Sequence, residues 1–225
     1  MCIRDRYNSR MKIVLNILKA FLINISFIGI VLASNTCPSI DPNNAKDLPV
    51  EQTEAILGDI LCSFIDLHTE GNNNFFSALS LTKKKIIPYI DLEYSTELAL
   101  GNYWKQLKPL DKKVFERDIK STLINEYINS LVNMDNWEHL TITVDKNFSQ
   151  LNNLAEVKID SSLEDEYRYI TATVTLKLIR KDRWRVYDLV WQSFSIIDYF
   201  EYSYHEKIQR AGGLENTLQQ MLQRT

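Results

Sequence analysis

Two apolar runs joined by a short charged break, spanning Tyr169 to Trp191, constrain this chain more than any other stretch. In the first run Ala172, Val174, Leu176 and Leu178 alternate with Thr171, Thr173, Thr175 and Lys177. A period of two is the signature of a strand with one dry face and one wetter face. The second run is Trp184-Arg-Val-Tyr-Asp-Leu-Val-Trp191. The break from Arg180 to Arg183 is short enough to close a β-hairpin.

The register depends on the loop. A two-residue loop at Lys181-Asp182 sets Leu178 opposite Arg185, Leu176 opposite Tyr187, Val174 opposite Leu189 and Ala172 opposite Trp191. One face then carries Val174, Leu176, Leu178, Tyr187, Leu189 and Trp191, because opposed residues point the same way. Lys-Asp is not a favoured pair for such a turn. A three-residue loop brings in Val186, Asp188 and Val190 instead, since a slip of one residue turns a strand over.

Around the hairpin the pattern is helical, then extended, then helical. Ala55, Ile56, Leu57, Ile60, Leu61, Phe64 and Ile65 form the stripe of a helix over about 50–68. Short segments follow at 75–81 and 83–89, stopped near Pro88. Asp91 reads as the N-cap of a helix ending at Gly101, with Tyr94, Leu98 and Ala99 inward. Pro109 starts the longest helix, to about Val132. Its apolar stripe, which includes Ile119, Leu123 and Tyr127, is wider than packing on one other helix needs. After Asn133 the period drops to two at Leu140, Ile142 and Val144, and again at Ala155, Val157 and Ile159. Ser195 caps a helix that Gly212-Gly213 breaks, and a last helix runs from Leu214 to Leu222. The expected fold is α+β: a four-stranded curved antiparallel sheet covered by N-terminal and C-terminal helices.

Residues 1–10 look like upstream translated sequence, with Met11 as the start of a secretory signal. Lys12 and Lys19 supply charge, Ala20 to Leu32 is apolar, and Val31 and Ala33 fit cleavage near Ala33. The expected organisation is therefore 1–33 extension plus signal peptide, 34–48 polar leader and 49–225 one domain. Residues 1–33 hold five of the 26 Lys and Arg and one of the 29 Asp and Glu. The remainder carries 21 basic against 28 acidic residues, which argues against a nucleic-acid partner held through phosphates. The one basic cluster is Lys83-Lys84-Lys85, either a solvated helix end or a contact for lipid headgroups or a partner. Cys37 and Cys62 are the cysteines left after cleavage. They either pair in an oxidising compartment or remain one buried and one free thiol. Neither they nor His68, His139 and His205 have metal-ligand spacing.

No nucleophile elbow, P-loop, dinucleotide fingerprint or HExxH motif is present. Asp188 is the one acid inside a strongly apolar strand. It is either a general base of raised pKa or a carboxylate tied to nearby N–H groups. Trp104, Trp184 and Trp191 either fill core or line a cavity.

Three motifs, in order and spacing, resemble the MlaC family of periplasmic phospholipid-binding proteins, also called toluene-tolerance proteins. The first is Leu-Ala-Leu-Gly-Asn-Tyr-Trp over 98–104, continuing from Lys105 through Pro109 to Phe115. The second is Trp184-Arg-Val-Tyr-Asp-Leu189 followed by Ser195-Ile-Ile. The third is Gly212-Gly-Leu214 with Leu218. Two places depart from the family: Gln192-Ser193 replaces an acidic residue and glycine, and Tyr199-Phe200-Glu201 replaces Asn-Tyr-Arg.

The resemblance implies a carrier, not an enzyme, without cofactor. It implies an apolar cavity between sheet and helices that buries the two acyl chains of a phospholipid. It implies exchange with an outer-membrane lipoprotein–porin complex and with an inner-membrane ABC transporter bearing an MCE-domain subunit, which maintains outer-membrane lipid asymmetry. The residues expected to meet lipid are Tyr94, Leu98, Trp104, Ile119, Leu123, Tyr127, Val174, Leu176, Leu178, Tyr187, Leu189 and Trp191. About 30 methylenes at about 0.8 kcal/mol each make exposure of a diacyl lipid cost on the order of 24 kcal/mol, so a carrier must cover both tails. The alternative is an acid–base enzyme on a cone-shaped α+β fold, using Asp188 and a tyrosine such as Tyr187 on a hydrophobic small molecule.

Overall fold

The computed structural model describes residues 48–72, 74–132, 140–165 and 168–223. The expected signal segment, the leader and Cys37 lie outside the described residues. Cys62 is disulfide-bonded, and the cysteines it could join, Cys2 and Cys37, lie outside them too.

The described residues form six α-helices and one antiparallel sheet, in the order helices, strands, helices. Helix α1 is Pro49–Thr69, α2 Phe75–Leu81, α3 Leu92–Leu100 and α4 Pro109–Val132. Strands β1 (Leu140–Val144), β2 (Ser149–Leu151), β3 (Leu154–Asp165), β4 (Arg168–Arg180), β5 (Trp184–Trp191) and β6 (Phe194–Ser195) follow. Helices α5 (Ile196–Ala211) and α6 (Leu214–Leu222) close the chain. None of these helices is long and apolar enough to cross a membrane.

The four expected strands form a meander, and two short pieces extend it to six. β1 and β2 both pair with β3, as one edge strand interrupted over 145–148. β6 adds a final pair beyond β5. The inward face follows the period of two: Val157 opposes Leu176, Ile159 opposes Val174 and Ala155 opposes Leu178, and all six are buried.

The hairpin takes neither simple register. Its loop is Lys181-Asp182-Arg183, since Arg180 opposes Trp184, and Leu178 accordingly faces Val186. A bulge at Tyr187 then restores the other parity, so Leu176 faces Leu189 and Val174 faces Trp191. The two-residue loop and its Leu178–Arg185, Leu176–Tyr187, Val174–Leu189 and Ala172–Trp191 pairs do not form. An ion pair explains the compromise. The bulge sets Lys177 directly opposite Asp188, with Nζ 3.0 Å from the carboxylate. A bulge locally bends a strand and re-aims the extra residue, here Tyr187.

The free edge of β5 is closed by the chain before α3. Ile90 bridges Val186, and the Asp91 N–H donates to the Val186 carbonyl at 2.8 Å. Asp91 also caps α3 through the Tyr94 N–H, and the Lys181 ammonium lies 2.8 Å from its carboxylate. Two residues before Val186, at the start of β5, Gln52 of α1 accepts the buried Trp184 N–H at 2.9 Å. The start of β5 after the hairpin loop is thus tied both to α1 and to the start of α3.

Two cores result. One packs the inward sheet face against α1, α2 and the C-terminal half of α4 through Ile124 and Ile128. The other is all-helical, and joins α3, the N-terminal half of α4, α5 and α6 around Phe115 and Tyr204, whose rings meet edge to face at 5.3 Å.

The β5–β6 loop carries a cost. Gln192 and Ser193 sit at φ 47° and 69°, both left-handed, as a two-residue type I′ turn demands. Neither residue is glycine or asparagine. A side chain there costs about 1–2 kcal/mol, and glycine returns part of that to the unfolded chain's entropy. Ser193→Gly is therefore expected to stabilise the protein by roughly 0.5–1 kcal/mol, read as a higher urea midpoint at unchanged slope. A lower midpoint means that the serine side chain contributes a contact worth more than the strain.

Candidate functional site

The seam between the two cores is not filled. A cavity of about 170 Å³ lies there. Its floor is Ile159 of β3, Val174, Leu176 and Leu178 of β4, and Trp184, Val186, Tyr187 and Leu189 of β5. Ile56, Leu57 and Ile60 of α1 form one wall, and Ile119 and Leu123 of α4 with Ile196, Ile197 and Phe200 of α5 another. The third wall is the segment after α2: Thr82, Ile86, Ile87, Tyr89 and Ile90.

That segment owes its shape to Pro88. Residues Thr82–Ile86 form a π-turn, with the Ile87 N–H returned to the Thr82 carbonyl, and Ile87–Tyr89 a 3₁₀ turn. Pro88 has no N–H to continue an α-helix, and the widened turn swings Ile86 and Ile87 onto the cavity. Thr82, buried among them, turns its hydroxyl back to the Ala78 carbonyl at 2.8 Å. Its polar atom is thereby satisfied within its own helix and offers nothing to a guest.

The polar residues of the wall are likewise occupied. Ser95 Oγ lies 2.6 Å from the Tyr187 carbonyl. Asp188 is buried, and four donors hold its carboxylate. These are the Leu189 N–H at 2.8 Å, the Ile197 N–H at 3.2 Å, the Ser195 hydroxyl at 2.9 Å and the Lys177 ammonium at 3.0 Å. Ser195 in turn accepts the Asp198 N–H and caps α5. Asp188 borders the cavity, but these four donors occupy the carboxylate that the acid–base alternative required to be open. Burial also raises the Tyr187 phenol above its ordinary value, which makes it a poorer acid. Among the described residues no group of three His, Cys, Asp or Glu is placed to hold a metal.

Seven of the twelve residues singled out in the sequence line the cavity: Ile119, Leu123, Val174, Leu176, Leu178, Tyr187 and Leu189. Four do not. Trp104 is buried in the helical core, with the Lys112 ammonium 4.2 Å from its ring centre. Tyr94 does not line the cavity itself but meets the lining residue Tyr187 edge-on at 5.0 Å. Leu98 is half-buried on α3, and Trp191 packs at the margin of the sheet core. The side chain of Tyr127 lies outside the described residues. The sequence reading missed the α1 wall and the 86–90 wall. Ile56, Leu57 and Ile60 carry the same stripe as any core helix. The signal that could have found the other wall is Ile86-Ile87-Pro-Tyr-Ile90, an apolar run broken by proline at a helix end.

The hollow is predominantly apolar, and the hydroxyls of Thr82 and Ser95 and the carboxylate of Asp188 at its wall are taken up by partners within the protein. It can hold hydrocarbon. An engineered hollow of about 150 Å³ in another protein stays dry and takes up benzene, so this one, at about 170 Å³, has room for a short stretch of a single alkyl chain.

The fold resembles a phospholipid-binding protein from Ralstonia solanacearum, solved in complex with a phospholipid. The TM-score is 0.62 at 21% identity, over 76% of this chain and 93% of that one. No curated protein matches the chain. The family model described as MlaC protein matches residues 68–223, a span that takes in every strand and the last five helices. The chain belongs to the MlaC family.

Proposed function

We propose that this protein is a periplasmic phospholipid carrier whose acyl chains enter the cavity at the seam between its two cores. The observation that carries the reading is the lining itself: apolar side chains from the sheet, from α1, α4 and α5 and from the 82–90 segment surround a space their own volume does not fill. Family membership and the lipid-bound Ralstonia protein support it. The seam also supports it mechanically. The two cores share only Ile196 and Tyr199 among their packed side chains and can part along the seam, and two whole tails need more room than about 170 Å³. Exposure of each methylene to water costs about 0.8 kcal/mol, so a lipid in transit favours the opened, tail-covering form over one that leaves a tail in water. We further propose that residues 1–33 are removed on export, that 34–48 form a leader and 49–225 the lipid-binding domain. In this reading the carrier exchanges lipid with an outer-membrane lipoprotein–porin complex and an inner-membrane ABC transporter with an MCE-domain subunit, and so sustains outer-membrane asymmetry.

Solvent extraction and mass spectrometry of the gently purified protein test the central point. The expected result is one diacyl phospholipid per chain. A protein that is lipid-free, and that takes up none from vesicles, rejects the carrier.

A further inference from the structure

The outer face of the segment whose inner face walls the cavity carries two exposed phenyl rings beside exposed lysines. Phe75 and Phe76 open α2, 48% and 79% exposed, with their rings edge to face at 5.7 Å. Asn74 fixes them there by accepting the Phe76 and Ser77 N–H groups. Phe76, Ser80, Lys83 and Lys84 are all exposed and recur at i, i+4, i+7 and i+8, which is one side of a helix. Ala78, Leu81 and Thr82, on the other side, are buried. Lys85 is held by Asp59 at 2.8 Å. Among the described residues Lys83 and Lys84 pair with no acid.

From this juxtaposition we infer that Phe75, Phe76, Lys83 and Lys84 form a docking surface for the headgroup layer of a bilayer that contains anionic lipid. Exposed phenyls enter the boundary between headgroups and acyl chains, and lysines beside them reach the phosphates. The chain as a whole carries a net charge of −3, so an anionic surface repels it except where cations are gathered. A protein partner fits less well. A stable protein interface covers about 800 Å² on each side, more than one seven-residue helix presents, whereas shallow insertion needs only a few side chains. Docking there sets the wall formed by Ile86 and Ile87 next to the membrane, on the turn that is free of regular α-helical bonding.

Flotation of the purified protein tests this, with vesicles of phosphatidylcholine alone and of phosphatidylcholine mixed with phosphatidylglycerol. Binding is expected to rise with phosphatidylglycerol and to fall with salt. Each lysine near an anionic surface contributes about a fivefold factor, so Lys83→Gln with Lys84→Gln lowers the partition coefficient on the anionic vesicles about 25-fold. Phe76→Ser lowers it on both vesicle types. All three positions are exposed, and thermal melts of the variants should match the parent. Equal partitioning of parent and variants overturns the inference. A parent that stays in solution with both vesicle types overturns it as well, and assigns the patch to an acidic protein partner. The inference builds on the carrier reading, yet the two fail separately. Lost flotation with bound lipid retained removes the docking surface alone, and a lipid-free protein that still floats removes the carrier alone.

Discussion

Replacing Val174 by tryptophan is expected to strip the protein of lipid and leave it folded. Val174 sits mid-floor, opposite Ile159 on one side and Trp191 on the other. It is buried against neighbouring side chains and borders the cavity. In a filled core an added indole forces rotamers and backbone aside at a cost of about 1–3 kcal/mol, and sometimes more. Here the ring has somewhere to go, since the cavity is larger than one known to take benzene. Displacing even six methylenes of a tail forfeits on the order of 5 kcal/mol, more than a thousandfold in affinity. The measurement is lipid per chain beside the melting temperature, with Thr171→Trp on the exposed face as control. Lipid lost with a melt within a few degrees of the parent is the carrier's result. Lipid kept at parental stoichiometry removes the cavity from the binding site. A collapse of the melt in a lipid-free parent means that the floor is ordinary core.

The strands were readable because their period reports burial directly. Ala172 to Leu178 alternates with threonine and lysine, and every inward member of that set is buried. The caps were readable for a similar reason: Asp91 and Ser195 each satisfy the N–H three residues on, which is a local matter. The register of the hairpin was not local. It turns on a pairing of Lys177 with Asp188 that shifts the strands by one residue halfway along. No turn rule at Lys181-Asp182 encodes that. The cavity was half legible. The stripe of α4 is wide because the helix serves two cores in turn, and Ile119 and Leu123, at the change-over, face the space between them. Trp104, expected at the lipid through the first family motif, could not be placed from its neighbours in the chain. Only the path of α3 into α4 puts it in the helical core instead. A hollow is a property of how elements meet, and residues that line it carry the same apolar signature as residues that fill it.

Asp188→Ala should be the most destabilising single change in the sheet, and it bears on the enzyme alternative as much as on the fold. Removing the carboxylate leaves the Ile197 N–H and the Ser195 hydroxyl buried without their acceptor, and Lys177 without its counter-charge. Each buried donor left without its acceptor costs about 1–3 kcal/mol, while Lys177, its side chain 30% exposed, is partly rehydrated; the sum stands against a total stability of roughly 5–15 kcal/mol for a domain. At about 2–4 °C per kcal/mol for a chain of this size, the melt falls on the order of 10 °C. Asp188→Asn should lose less. An amide oxygen still accepts from the Ile197 N–H, while the amide NH2 replaces the oxygen that accepts from Lys177 and sets donor against donor there. Adding Lys177→Met to Asp188→Asn should recover part of the loss, because the stranded cation goes with it. That recovery is the readout a catalytic carboxylate does not give. If Asp188→Ala instead melts with the parent and keeps its lipid, the four donors are not what holds β5 to the start of α5. The carboxylate would then again be open to a chemical role.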